Sequence, residues 1–475
     1  MNTPSATVKR YLPWVVAAAL FMEQLDSTII NTAIPAMAAS LGVTPLSLKA
    51  VVTSYIISLA VGIPVSGWIA DRFGTRRVFG TAIAIFMVSS VLCGLALNVP
   101  MLVAARICQG IGGAMMMPVG RLAILRTFTK SELLVAMNFV IITALIGPLL
   151  GPTVGGLIVH WLSWREIFFV NVPVGLAALV LVSRYMPDYR AETARPLDVW
   201  GLVLFSAGAA LLSWLLEVYG EHHLGARVAT VLAGVALGLL AAYGWHSRQT
   251  PYPLLDLDLF RIRTFRVAVV GGFITRLGMG SLPLLLPLLY QLGLGLPAWQ
   301  SGLLMMPGAI AAMSMKLIAT RVLRRYGYRR VLIVNTVMIG LTISLFARVS
   351  ADVPIRLIVL LTLAQGFFNS LQFSSMNSMA YADIEPSGSS MASTIASVLQ
   401  QMSMSFGLAF GSLVIAWYLG DLPQTDRAAI TGALHHGFLT LGALTVLSSL
   451  SFWTLQPQDG ESVSRGSARE VGAVE

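Results

Sequence analysis

Apolar stretches of membrane-spanning length, each closed by proline, glycine or a charged residue, repeat along the whole chain. A helix needs about 20 apolar residues to cross a hydrocarbon core of ~30 Å. The pattern predicts fourteen such helices, at approximately 13–34, 50–70, 78–97, 101–123, 133–158, 166–186, 198–219, 228–245, 267–291, 299–320, 329–347, 355–376, 390–418 and 433–455. Residues 78–105 and 133–159 contain no Asp, Glu, Lys or Arg. The fold class is an all-α polytopic membrane protein, and an even number of spans puts both termini on one side.

Composition supports this class. Hydrophobic residues make up 56% of the chain and charged residues 11%, with a mean hydropathy of +0.79, whereas soluble domains carry about 25% charged residues. Lys9-Arg10, an apolar run and "AMAAS" (36–40) imitate a signal peptide, but Glu23 and Asp26 interrupt the run, which argues against cleavage. The net charge of +10 could suggest nucleic acid, yet the basic residues are scattered through short loops. With the N-terminus inside, inner segments hold 21 of the 31 basic residues and outer loops hold six, as the positive-inside rule requires. Cys93 and Cys108 lie in apolar segments and suggest neither a disulfide nor a metal site. The pairs His222-His223 and His435-His436 read as solvated loop residues.

An internal echo divides the chain. "DRFGTRRVF" (71–79), after the second span, recurs as "RRYGYRRVL" (324–332), after the tenth. The organisation is six plus two plus six: a cytoplasmic N-terminus (1–12), a six-helix bundle (13–186), two extra helices (198–245), a cytoplasmic linker (246–266), a second six-helix bundle (267–455) and a polar tail (456–475) expected to be disordered. Paired bundles around a central site are a common transporter plan.

The first span poses a chemical question, because "LDSTIINTAIP" (25–35) carries Asp26 deep in lipid, with Glu23 one turn earlier. Charges in lipid cost ~2.5–3.5 kcal/mol on insertion scales, so they face cavities and partners. At 1.5 Å per residue Asp26 lies ~20 Å from the inner end of its span, and Arg106 lies ~9 Å from the outer end of the fourth. In a core of ~30 Å the two are level and can face each other. Burial disfavours an ionised carboxylate and a nearby cation favours it, so such an aspartate can take up and release a proton. Glu23 shares a helix face with Asp26; it titrates with it, attracts cationic substrate, or faces a wet cavity without a role.

Three further motifs stand out. In "GWIADRFGTRR" (67–77), Gly67 allows close helix approach, Asp71 can cap or pair at the helix end, and Gly74 permits a tight turn; Arg72, Arg76 and Arg77 face the inner surface. This stretch resembles motif A of the major facilitator superfamily, in which Asp71 would be an inner-gate residue; Arg324 replaces it in the second copy. "RICQGIGGAMMMPVGR" (106–121) resembles motif B. "GPLLGPTVGG" (147–156) resembles motif C, the antiporter signature. Its Gly147, Gly151 and Gly155, with Gly156 beside them, give a smooth packing face, while Pro148 and Pro152 remove backbone donors. With "WREIFFVNVPVG" (164–175) and "LDSTIINTAIP", the chain over about 10–455 resembles the fourteen-helix drug:proton antiporters of the EmrB/QacA type. "MMMPVGRLAILR" (115–126) and "FSSMNSM" (373–379) point to the MdtD/HsrA-like group within it. The resemblance implies two pseudo-symmetric bundles and proton coupling through Asp26, with Glu23 and Arg106 beside it.

A substrate cavity would draw on Gln109, Arg276, Met305, Phe367, Phe368, Asn369, Gln372, Asn377 and Gln401; polar glue between helices is the competing role for the amides. Arg276, ~15 Å deep, would contact an anionic substrate or pair with Glu23. No Walker signature, HExxH, GxSxG or paired-cysteine metal pattern occurs, so neither an enzyme nor a cofactor is expected and the proton gradient would supply the energy. The expected protein is a bacterial inner-membrane, multi-pass exporter of small, amphipathic molecules, proton-coupled, working by alternating access as a monomer. An organic-anion or metabolite transporter is the alternative, and a non-transporting membrane sensor a more distant one.

Overall fold

The computed structural model describes residues 6–191, 196–219, 225–385, 388–424 and 426–460. All regular structure among them is helical. Thirteen helices are long and apolar enough to cross a membrane. The fourteenth is α1 (Ala6–Ile29), whose apolar run also carries Lys9, Arg10, Glu23 and Asp26. Large apolar side chains such as Val135, Leu317 and Trp417 are more than two-thirds exposed. Their natural solvent is lipid, which also forces every spanning segment to close its own backbone hydrogen bonds as helix.

The chain forms two units. The first comprises Met1–Ser213, Thr230–Leu254 and Pro297–Leu303. It contains α1, α2 (Ile34–Leu41), α3 (Lys49–Phe73), α4 (Thr75–Gly94), α5 (Val99–Thr127), α6 (Lys130–Trp161), α7 (Glu166–Phe169) and α8 (Asn171–Tyr185), with most of α9 (Val199–Tyr219) and α10 (Ala226–Ser247). Packing is densest where glycines remove side chains. A Cβ at Gly110 would meet the Tyr55 carbonyl oxygen at 2.6 Å, and one at Gly112 the Ala82 carbonyl oxygen at 2.8 Å, so α5 lies directly on α3 and α4. The extra helices pack through Gly208 against Leu240, and Phe205 meets Tyr243 at 5.7 Å between ring centroids. Asp198 holds their ends, accepting from the Gly201 and Leu254 backbone N–H groups at 2.8 and 3.1 Å and lying 2.7 Å from His246 Nε2. Burial opposes the Asp198 charge, but these hydrogen bonds outweigh it and hold the carboxyl below its usual range.

The second unit comprises Trp214–Ala229, Leu255–Leu296 and Leu304–Glu475. Its elements are α11 (Arg263–Arg266), α12 (Gly272–Met279), α13 (Leu282–Leu288), α14 (Ala298–Tyr326, from Leu304 on), α15 (Tyr328–Leu345), α16 (Ile355–Ala380), α17 (Ser389–Leu419) and α18 (Arg427–Ser448). Glycine pairs join them: Gly340 to Gly442 between α15 and α18, and Gly308 to Gly366 between α14 and α16.

Several expectations need correction. The first span starts earlier than residue 13 and its α-helix ends at Ile29, passing through a 3₁₀ turn into α2. The ninth, expected as one helix over 267–291, is one continuous span over Arg263–Gly293, in which the α-helical pieces α11, α12 and α13 alternate with π turns at Val267–Gly271 and Leu289–Gly293. Gly271, Gly280 and Pro287 supply the flexibility and the missing donor that such π turns need. His435 and His436 lie on α18, not in a loop, bonding the Val349 and Gly432 carbonyls; His222-His223 fall outside the described residues. The tail begins in turns over 456–460, because Asp459 accepts from the Gln456 backbone N–H and from Arg263; residues 461–475 fall outside the description.

Candidate functional site

The two buried charges anticipated from depth meet in the first unit. Arg106 on α5 donates from Nη1 to Asp26 Oδ2 at 2.5 Å, and both side chains are fully buried. The other carboxylate oxygen, Oδ1, accepts from Gln109 Nε2 at 2.9 Å and from Asn171 Nδ2 at 2.7 Å. Ser90 on α4 lies behind both amides, 2.6 Å from Gln109 and 3.2 Å from Asn171. Arg106 also donates to the Val51 carbonyl at 3.2 Å and to Gln109 Oε1 at 2.7 Å, with its guanidinium 4.3 Å from the Tyr55 ring centroid. Four helices thus converge on one acid, which three donors satisfy in its ionised form. A buried pair of this kind survives only when its remaining lone pairs are filled, and the amides fill them.

The site also holds unused capacity. Arg106 Nη2, the Tyr55 hydroxyl and Glu23 Oε2 are buried without a hydrogen-bond partner. Glu23 is 6% exposed, one helical turn from Asp26. Orphaned buried polar atoms are costly, and these three gather beside the Asp26–Arg106 pair.

Motif C explains how α1 is held. A Cβ on Gly147 would meet the Leu25 backbone nitrogen at 2.8 Å. One on Gly151 would collide with Thr28, and one on Gly155 with the Ile29 carbonyl. The smooth face of α6 therefore lies on α1 beside and beyond Asp26, with Pro148 and Pro152 inside the helix. Gly156 faces the Ala298 backbone, also within this unit.

Motif A forms the turn between α3 and α4. Asp71 pairs with Arg126 of α5 at 2.9 Å, both about one-third exposed. Gly74 has φ +95°, and a Cβ there would collide with the Asp188 carboxylate. A strap following α8 crosses this turn: Thr75 N–H donates to the Tyr189 carbonyl at 3.0 Å, Tyr189 N–H to Thr75 Oγ1 at 2.9 Å, and Ala191 N–H to the Asp71 carbonyl at 3.1 Å. Asp188 accepts from the Arg76 N–H at 3.3 Å. Arg72, Arg76 and Arg77 are exposed, Arg72 lying 5.7 Å from the Trp68 ring. Gly67 departs from expectation, since a Cβ there would meet nothing within 4 Å. Close approach in α3 occurs instead at Gly62, opposite Ala114.

The residues expected to line a substrate cavity separate into two roles. Gln109 is fully buried in the Asp26 cage. Gln372 is 1% exposed, accepting from Asn335 at 2.8 Å and donating to Thr336 at 2.7 Å, and so ties α16 to α15. Asn369 accepts from Gln365 at 2.9 Å. For Gln372 the polar-glue role prevails, whereas the Asn369 bond stays within α16. Met305, Phe367, Phe368 and Gln401 are half-buried and Asn377 is exposed; the two phenylalanine rings meet edge-on at 5.7 Å. Among the described residues no carboxylate pairs with Arg276. Sequence reasoning missed Asn171 and Ser90 as members of the Asp26 cage, although a lone amide inside the apolar run after Trp164 was an available signal. It missed the 187–191 strap altogether.

Comparison with known proteins agrees with this architecture. The Major Facilitator Superfamily model matches residues 16–407 and 268–473. A protein of Serratia proteamaculans (strain 568) named "Putative multidrug resistance protein MdtD" is 38% identical over 439 residues, 92% of each chain. A Salmonella paratyphi A protein of the same name is 40% identical over 433 residues, 90% of each chain. Among solved structures, a D-xylose-proton symporter aligns with a TM-score of 0.67 at 16% identity, covering 95% of this chain and 99% of its own. The POT family transporter PepTSo aligns with a TM-score of 0.69 at 16% identity, covering 94% and 97%. These two likenesses concern the fold. With a family model across nearly the whole length and relatives this close, the chain belongs to the Major Facilitator Superfamily.

Proposed function

We propose that this protein is a proton-coupled exporter of small amphipathic molecules, working by alternating access in the bacterial inner membrane with both termini in the cytoplasm. The relatives' multidrug-resistance names support the efflux direction. The observation that carries proton coupling is the Asp26–Arg106 pair, fully buried and enclosed by Gln109 and Asn171. In the proposed cycle this closed arrangement is assigned to the proton-free state. Protonation of Asp26 from outside removes the charge that holds Arg106, and the freed guanidinium has the Tyr55 face against which to rest. Substrate entering from the cytoplasm or inner leaflet then favours return of the pair and release of the proton inward. The Asp71–Arg126 pair and the strap are proposed to close the inner gate in one conformation.

The test is transport in proteoliposomes with an imposed pH gradient, using a panel of cationic, neutral and anionic amphipathic dyes. Asp26→Asn is expected to abolish gradient-driven uphill flux while leaving exchange down a concentration gradient. Uphill flux retained by the variant would rule out the role of Asp26.

A further inference from the structure

Arg276 is the charge this cycle does not use. It sits on α12, 5% exposed, and its Nε has no hydrogen-bond partner. No carboxylate among the described residues lies within ion-pair distance of it. An arginine cannot shed its charge as a buried carboxylate can, and charges at membrane depth are retained where they act on something.

The surroundings fix where this cation points. Gly272, one turn earlier, leaves room for the guanidinium to fold back along the helix: a Cβ there would lie 2.9 Å from Nη1. The Phe373 ring of α16 lies 4.7 Å from the guanidinium carbon. The backbone beneath is immobilised, because a Cβ on Gly407 of α17 would collide with the Arg276 carbonyl. The side chain borders a small cleft of the second unit that also takes in Met376, Asn377 and Gln400. A fixed planar cation, two amides and a thioether thus border one cleft of about 10 Å³, and the Phe373 ring lies against the guanidinium beside it.

We propose that Arg276, with Asn377 and Gln400, is the recognition subsite for the anionic end of an amphipathic substrate, a planar oxyanion of the carboxylate type. Guanidinium matches carboxylate with two parallel hydrogen bonds, the amides complete the oxygen shell, and Phe373 and Met376 receive the adjoining apolar carbons. The inference rests on the transporter reading above and narrows it, making amphipathic organic acids the preferred cargo.

Equilibrium binding tests it without any proton gradient. The full-length protein in nanodiscs of zwitterionic lipid is titrated with dansyl-labelled undecanoate and with its uncharged amide, and energy transfer from tryptophan is read. The wild type is expected to bind the carboxylate about tenfold more tightly than the amide. Arg276→Gln should equalise the two by weakening only the carboxylate, and Arg276→Lys should keep part of the preference. Asn377→Asp, at an exposed position, guards against misfolding of the buried variants: its negative charge beside Arg276 should also erase the preference. Equal affinities in the wild type, or a preference that survives both Arg276→Gln and Asn377→Asp, would overturn the proposal and leave proton coupling untouched. Carboxylate binding without pH-driven flux of any dye would overturn proton-driven export and leave this subsite standing.

Discussion

The two units hold their buried arginines in different ways. In the first, Asp26 pairs with Arg106, Asp71 with Arg126 and Lys9 with Glu132. In the second, Arg263 pairs with Asp459, no carboxylate among the described residues pairs with the buried Arg276, and Arg325, Arg329 and Arg330 line, with Asp459, a cavity of about 540 Å³ at the second copy of the basic turn. The turns themselves diverge. Gly74 and Gly327 both have positive φ, +95° and +74°, but Gly74 is pressed by Asp188 whereas Gly327 has nothing nearer than the Pro457 carbonyl at 4.0 Å. The buried cation of the first unit, Arg106, has a carboxylate partner; that of the second, Arg276, has none among the described residues.

The largest effect expected from this contrast is on stability. Asp26→Ala strands Arg106 and should cost ~3–5 kcal/mol, whereas Arg276→Met removes a cation with nothing to strand and should be near neutral or stabilising. Reversible unfolding in detergent measures both, and equal losses would break the comparison. Next come the turns. Gly327→Ala should cost about 2 kcal/mol for its backbone strain alone, and Gly74→Ala more, since the Asp188 carboxylate must also move; the same unfolding experiment ranks them. Asp71→Asn removes a pair about one-third exposed, so its stability change should stay below ~1 kcal/mol. Its signature is kinetic: turnover in proteoliposomes falls while substrate affinity is kept, and the reverse pattern would remove Asp71 from the gate.

The smallest effect belongs to Glu132, at the start of α6. The Lys9 hydrogen bond, then the Thr129 backbone and side chain, hold its carboxyl at about 2 against an ordinary 4.5. The folded value is depressed, so this stabilisation is present above pH 4.5 and lost as pH falls toward about 2. Glu132→Gln should flatten that part of a melting-temperature titration, and an unchanged acid slope would show that the pair contributes nothing.

Much of the architecture was legible because lipid imposes a coarse rule: long apolar runs become helices, and deep charges need partners. The Asp26–Arg106 pairing followed from rise per residue alone. Its cage did not, because Asn171 and Ser90 reach Asp26 or its amides through the rotation of α8 and α4 about their axes, which an all-round apolar helix leaves unmarked. Gln372 and Gln109 could be cavity or glue until neighbours were known, since an amide serves equally well in either place. Gly67 misled for a related reason: small size permits close approach but does not cause it. The π turns of the ninth span were written in Gly271, Gly280 and Pro287, residues that a hydropathy window averages away.

The glycine face of α6 has a mechanical consequence. Set directly on the backbone of α1, the two helices act as one strut, and sliding between them would drive Gly151 and Gly155 into Thr28 and the Ile29 carbonyl. The acid is therefore stationary relative to its own support. In the proposed cycle its exchange with solvent would be timed by α5 and α8, which carry Arg106, Gln109 and Asn171.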